Sequence, residues 1–179
     1  KLGATGKPII LVLNEGRPRL ISKFEPKMAG ILQTYLPGNF GGDALADILF
    51  GEVNPSGKLP YNYPRYPNSL VGYNHKPSEN RTVMEGVYNY AAEYNPQYEF
   101  GYGLSYTTFK FENLKLSAEK IKANQELTVS VEVSNTGNRE GKEVVELYLS
   151  DLYATLTPDS RRLRGFEKIN LKPGEKQTI

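Results

Sequence analysis

The sequence predicts an α/β segment followed by an all-β segment, joined by an irregular stretch rich in tyrosine and proline. Three observations carry this. Residues 8–51 hold two short apolar runs and one amphipathic run, separated by Gly and Pro, which is the alternation of strand and helix. Residues 54–105 hold six prolines and most of the chain's 13 tyrosines, with little periodicity. From Thr107 onward apolar residues alternate with polar ones, the period of strands.

The elements follow in order. Pro8 to Leu13 is continuously apolar, as expected of a strand buried on both faces. Asn14-Glu15-Gly16-Arg17-Pro18 reads as a turn. Arg19 to Glu25 is expected to form a short helix that Pro26 ends. Ala29 to Leu36 alternates as a second strand, and Pro37-Gly38 breaks it. Gly41-Gly42-Asp43 leads into a helix. Ala44, Leu45, Ile48 and Leu49 share one face, Asp43 suits the helix dipole and Gly51 suits the C-terminal cap. Strand, short helix, strand and helix fit a partial parallel layout, with too few strands for an independent doubly wound domain. The next stretch has too many tyrosines for free disorder, so it reads as an ordered arm.

In the last part, Phe109 and Phe111 open one strand. Leu127, Val129, Val131 and Val133 mark a half-buried second strand, and Asn135-Thr136-Gly137-Asn138 marks a turn. Val145, Leu147 and Leu149 mark a third, and Arg164 to Leu171 a fourth with Phe166 in the core. Gln177-Thr178-Ile179 looks like the start of another. Four strands are fewer than the roughly seven of a sandwich. The sandwich is therefore expected to be incomplete, with unpaired edges that favour self-association. Lys1, with no initiator Met, and Ile179, at a strand start, both read as cuts from a longer protein.

Composition narrows the chemistry. A net charge of +2 gives no electrostatic case for nucleic acid. There is no run of about 18 apolar residues, so no membrane helix is expected. The absence of cysteine rules out disulfides and thiolate metal sites. A single histidine, His75, rules out a site of several imidazoles. No metal and no cofactor is expected.

The run Phe100-Gly101-Tyr102-Gly103-Leu104-Ser105-Tyr106-Thr107-Thr108-Phe109 alternates glycine with aromatics. Such glycines allow close approach or positive φ, and such aromatics can pack against two bodies, so the run reads as a joint. It resembles the FGYGLSYTTF signature of glycoside hydrolase family 3, the family of many β-glucosidases and β-xylosidases. Other segments resemble the family in order: Thr5-Gly6-Lys7-Pro8 with Gly16-Arg17-Pro18; Leu36-Pro37-Gly38 with Gly41-Gly42 and Ala46 to Gly51; Asn54 to Pro60; Tyr73 to Pro77. Asn135-Thr136-Gly137, Glu143 to Tyr148 and Leu163 to Phe166 resemble its fibronectin type III-like domain.

The resemblance implies a layout and an activity. Residues 1–60 correspond to the end of an α/β sandwich domain, 61–105 to a connecting arm, and 106–179 to a truncated fibronectin III-like sandwich. The full protein is then a retaining, exo-acting β-glycosidase, most directly a β-glucosidase, acting on terminal β-linked sugars in the periplasm or outside the cell. Its aspartate nucleophile belongs to an N-terminal domain, the partner of this chain, and its acid/base glutamate lies upstream. No catalytic residue is therefore expected here. The rival readings are a non-catalytic carbohydrate-binding module and a structural or interaction module.

Several single residues offer chemistry of their own. Glu15 sits in a strand-end loop, where α/β sheets place ligands, although an exposed turn residue is the plainer reading. His75 could line the mouth of a sugar site, or be an ordinary loop histidine. Asp43 and Asp47, four apart on a helix, read as capping or solvated groups. Glu85, Glu93 and Glu99 could bond sugar hydroxyls, and Tyr88, Tyr90, Tyr94 and Tyr98 could stack on sugar rings, with packing and surface roles as the plainer readings. Gly38 to Gly42 could cradle phosphate but lacks the Walker residues. Asn80-Arg81-Thr82 fits a glycosylation sequon. Asp151 and Asp159 are the remaining aspartates, and Arg161, Arg162 and Arg164 read as a solvated strand end.

Overall fold

The computed structural model describes residues 2–69, 71–76 and 95–179. The sequon at Asn80, the carboxylates Glu85 and Glu93, and Tyr88, Tyr90 and Tyr94 lie outside the described residues. The chain clusters into two compact units. The first comprises the described residues within Lys1–Phe50, Leu59–Tyr102 and Leu149–Arg162; the second comprises Gly51–Lys58, Gly103–Tyr148 and Leu163–Ile179.

The first unit holds strand β1 (Ile10–Leu13), strand β2 (Gly30–Gln33) and helix α1 (Gly41–Phe50). β1 and β2 pair in parallel, Ile10 opposite Gly30 and Leu13 opposite Gln33. Leu13, Ile21 and Tyr63 form the core, with Leu11, Ile31, Leu59, Tyr61 and Tyr98 packed around them. β1 is thus buried on one face only, and Ile10 and Val12 on the other face stay exposed. This corrects the expectation of a strand covered on both faces. An all-apolar run does not distinguish one covered face from two.

The helix expected over Arg19 to Glu25 is absent. Ile21 instead drops into the core at 1% exposure, and its carbonyl accepts from Phe24 N and Glu25 N at 3.0 and 2.8 Å. A short 3-10 turn then spans Glu25–Lys27 with Pro26 at its start. Proline's fixed φ and missing N–H are tolerated there, so Pro26 opens a turn rather than closing a helix. α1 starts and stops as expected, with Gly51 at φ 82° past its end. Gly41 has a packing reason: a Cβ there would lie 2.5 Å from the Pro37 ring.

The second unit is all β. It contains β3 (Phe109–Leu116), β4 (Val129–Asn135), β5 (Gly141–Leu149), β6 (Arg162–Leu171) and β7 (Lys176–Thr178). β3, β4 and β7 form one antiparallel sheet, and β5 and β6 form another. β7 is the strand start expected at Gln177-Thr178-Ile179, and Ile179 extends its pairing: the Ile179 N–H and carbonyl each pair with Val131 at 3.0 Å. Val133, Ile169 and Leu171 are the buried centre, with Phe109, Val131, Val145 and Ile179 around them. Side chains from both sheets share this core, the arrangement of a sandwich. Each fully buried aliphatic residue there contributes about 2 kcal/mol.

Phe166 is not part of that core. It is 73% exposed. Ile169 and Leu171 fix the inward parity of β6 on odd positions, and strand side chains alternate faces, so position 166 points outward. Leu147 and Leu149 of β5 are also exposed, while Val145 packs inward.

Candidate functional site

Three arrangements place the residues singled out above, all within the first unit. The first lies at the carboxyl ends of the parallel strands. Leu13 runs straight into the loop that carries Glu15, and Gln33 leads to Tyr35, which is held at φ 54°. A bulky residue at positive φ is uncommon and marks a tightly determined site. Glu15 Oε1 accepts from the Arg19 N–H at 3.2 Å and lies 3.0 Å from the Tyr63 hydroxyl. That hydroxyl is also 2.7 Å from Arg19 O, and its single proton serves one of these two acceptors. Gln33 Nε2 donates to Glu15 O at 3.4 Å, while Gln33 Oε1 is buried with no partner among the described residues.

This cluster holds its tyrosines neutral. Burial first, then the charge of neighbouring groups including Glu15, pushes Tyr61 up to about 12. Burial also raises Tyr63, reinforced by its bond to Glu15. Tyr35 and Tyr61 meet edge to face at 6.5 Å and share a side-chain hydrogen bond. Glu15 is therefore a half-buried anchor for Tyr63 and for the Arg19 backbone, and not a loose turn residue.

His75 lies in the second arrangement, a clasp between residues 74–76 and 157–162. The His75 carbonyl accepts from Ser160 N at 2.9 Å, and its Nδ1 is 3.0 Å from the Lys76 carbonyl. Lys76 Nζ donates to Thr157 O and to Asp159 Oδ1, both at 2.8 Å. Asp159 Oδ2 accepts from Arg162 Nε at 2.8 Å and from Asn74 Nδ2 at 3.3 Å. Hydrogen bonds from Lys76 and then Arg162 hold the Asp159 carboxyl down to about 2. Arg161 Nη2 holds Glu99 Oε2 at 2.8 Å. Arg161 and Arg162 each hold a carboxylate at the solvated start of β6. Lys76 and Asp159 are 83 residues apart, and no local pattern in the sequence links them.

The third arrangement is a cleft of about 390 Å³. Arg65, Gln97, Tyr98, Glu99 and Tyr102 line it, together with Asn95 and Pro96. Tyr98 packs against the core, donates its hydroxyl to Glu25 Oε1 at 3.0 Å and stacks on Tyr102 at 4.9 Å. Asp43 and Asp47 are exposed on α1, and Asp151 is exposed too. Among the described residues no group of three His, Cys, Asp or Glu side chains is placed to hold a metal ion.

In the second unit the family-like motifs do structural work. Asn54 Oδ1 accepts from Ser105 Oγ at 2.9 Å and Tyr106 N at 2.8 Å, and its Nδ2 donates to Glu140 O at 3.0 Å. Lys58 Nζ bonds Gly103 O at 2.8 Å and Glu143 Oε1 at 2.7 Å. Gly103 must be glycine, because a Cβ there would lie 2.1 Å from the Gly57 carbonyl oxygen.

An α/β unit with parallel strands and a β unit with two facing sheets define a two-part region built from an α/β domain and a fibronectin type III-like domain. Comparison with known proteins finds a match for each of two stretches of the chain. Residues 1–106 match the glycosyl hydrolase family 3 C-terminal domain, and residues 143–179 match a fibronectin type III-like domain. The chain belongs to glycosyl hydrolase family 3. It is 45% identical, over 99% of its length, to a periplasmic β-glucosidase of Salmonella typhimurium, and covers 24% of that protein. It is 44% identical, over 98% of its length, to a β-xylosidase of Formosa agariphila, again covering 24%. Among solved structures it resembles a β-glucosidase from Erythrobacter marinus, with a TM-score of 0.88 and 40% identity, covering 99% of this chain and 23% of the other. The chain thus spans about a quarter of the length of the curated relatives it matches. No helix among the described residues is long and apolar enough to cross a membrane.

Proposed function

We propose that the chain is the C-terminal part of a retaining, exo-acting β-glycosidase, most directly a β-glucosidase that removes terminal β-linked sugars. The observation that carries this reading is the 45% identity to the periplasmic β-glucosidase along 99% of the chain. Retaining hydrolysis needs a nucleophilic carboxylate and an acid/base carboxyl about 5 Å apart. In this chain Glu15 is tied to Tyr63 and Arg19, Glu25 to Tyr98, Glu143 to Lys58, and Asp159 to Lys76 and Arg162. Carboxylates so engaged support a bracing role. The catalytic pair is then contributed by an N-terminal domain of the same protein, against which residues 1–60, the arm 61–105 and the sandwich 106–179 act as scaffold. The name of the Salmonella relative supports a periplasmic or secreted location.

The test is hydrolysis of an aryl β-glucoside by the full-length protein and by the 179-residue chain. Turnover is expected from the first and none from the second. Turnover by the chain, lost in Glu15→Gln, overturns the non-catalytic reading. A full-length protein inert on aryl β-glucosides and β-xylosides overturns the glycosidase reading.

A further inference from the structure

We propose that Tyr35, Tyr61, Tyr63, Tyr98 and Tyr102 form a relay that carries a one-electron oxidising equivalent, a hole, through the core of the first unit. The composition sets the chemistry. The chain has 13 tyrosines, no cysteine and no tryptophan. Its two methionines are oxidised by oxygen transfer, a two-electron step. Tyrosine is therefore the side chain here that most readily gives up a single electron. Electron tunnelling falls off exponentially with separation, so a hole crosses a core in short steps between touching rings. All five rings belong to the first unit and touch in one unbroken row. Tyr35 meets Tyr61 at 6.5 Å between centroids, Tyr61 meets Tyr63 at 6.3 Å, Tyr63 meets Tyr98 at 6.2 Å, and Tyr98 stacks on Tyr102 at 4.9 Å. The two ends, Tyr35 and Tyr102, are 37% and 43% exposed, while Tyr63 in the middle is 2% exposed. A dissolved oxidant thus meets the ends and not the centre.

A phenol that loses an electron becomes a strong acid and must shed its proton. Burial holds Tyr61, Tyr63 and Tyr98 as neutral phenols, so each needs a proton acceptor at hand. Glu25 Oε1 lies 3.0 Å from the Tyr98 hydroxyl and Glu15 Oε1 lies 3.0 Å from that of Tyr63, the reach of direct proton transfer. Tyr61 and Tyr35 share a side-chain hydrogen bond. The steps then balance. A peroxyl radical takes a hydrogen atom from Tyr102, becomes a hydroperoxide and leaves the Tyr102 phenoxyl radical. Tyr98 gives its electron to Tyr102 and its proton to Glu25, while water protonates the Tyr102 oxygen. Tyr63 gives its electron to Tyr98, which recovers its proton from Glu25, and Glu15 takes the proton of Tyr63. Tyr61 then restores Tyr63 as Glu15 returns that proton, and the proton of Tyr61 passes to Tyr35, which releases one to water. Tyr35 returns an electron and a proton to Tyr61. A dissolved phenol gives a hydrogen atom to the Tyr35 radical. In sum, peroxyl radical and phenol become hydroperoxide and phenoxyl radical, with all five tyrosines restored.

The test places 3-fluorotyrosine at position 63 of the full-length protein, where one fluorine replaces a ring hydrogen and its EPR splitting marks a radical on that ring. The oxidant is ruthenium(III) tris-bipyridine, generated by a light flash with persulfate and too bulky to reach a side chain that is 2% exposed. A fluorine-split radical is expected. It is lost to background when Tyr61→Phe and Tyr98→Phe are combined, because phenylalanine keeps both rings in place but does not give up an electron to these oxidants. If that pair lowers the melting temperature, Tyr61→Phe with Glu25→Gln carries the test. It keeps the Tyr98 ring and hydroxyl but removes the base, and a several-fold slower rise of the radical is expected. No fluorine-split radical, or one that forms equally fast and fully in whichever variant carries the test, overturns the proposal. Glycoside hydrolysis plays no part in this readout, so the glycosidase reading stands or falls separately.

Discussion

Asn135 is 1% exposed, and each half of its carboxamide is used twice. Oδ1 accepts from Thr107 Oγ1 at 2.7 Å and Gly137 N at 3.1 Å. Nδ2 donates to Arg139 O at 2.7 Å and Leu171 O at 2.9 Å. One side chain therefore ties the start of the β unit, the turn after β4 and the end of β6. A buried amide with all four sites satisfied is worth keeping, and half-satisfied it is costly. Gly137 serves the same knot, since a Cβ there would lie 2.2 Å from Thr107 Oγ1. Asn135→Asp keeps the shape but removes both donors and turns a carboxylate oxygen toward two carbonyls. It is expected to destabilise the protein by about 3 kcal/mol, read as a shift of the urea unfolding midpoint. An unchanged midpoint would show that the knot contributes nothing. The sequence showed Asn135-Thr136-Gly137 as a turn. It could not show that Thr107, 28 residues earlier, and Leu171, 36 residues later, complete it, because hydrogen-bond partners across a sandwich leave no local pattern.

At the scale of elements, period alone was enough for α1 and β4, where helical spacing or alternation runs uninterrupted. It failed where parity or tertiary context decides. Phe166 looked like core by residue type, but the β6 parity set by Ile169 and Leu171 turns it outward. Pro26 looked like a terminator, and its fixed φ instead serves the first turn of a 3-10 helix. The segment between β5 and β6 carries no period of its own, and Leu149–Arg162 belongs to the first unit, where the Lys76, Asp159 and Arg162 clasp holds it. Asp159 ionises in the fold near 2, below its ordinary 3.8. A depressed carboxyl stabilises the fold above its unfolded pKa, and that contribution fades as pH falls through the folded value. The melting temperature is therefore expected to drop between about pH 4 and pH 2, with Asp159→Asn showing a shallower drop over the same window. Parallel curves for the two proteins would mean that the clasp does not stabilise the fold.

Among the described residues there are two cores of different chemistry. The second is aliphatic, centred on Val133, Ile169 and Leu171. The first places Tyr63 at its centre, with Tyr61 and Tyr98 against it. The sequence foretold tyrosines that pack rather than float, but not that the carboxylates of Glu15 and Glu25 would each lie within hydrogen-bond distance of one of their hydroxyls. Burial first, and then the neighbouring groups, raise Tyr61, Tyr63 and Tyr98 above the ordinary value of 10. The sign then decides what alkali does. The fold favours the neutral phenol, so the stabilisation is complete below about pH 10 and is lost as pH rises through about 12. All three rings lie in the first unit, and none in the second. Alkaline titration is expected to show a cooperative rise in tyrosinate absorbance near pH 12 as the first core opens, while the methyl resonances of Val131 and Val133 keep their folded shifts. Gradual ionisation of all 13 tyrosines with both cores intact would refute this. So would loss of the valine shifts in the same step, because the two cores would then be a single cooperative unit.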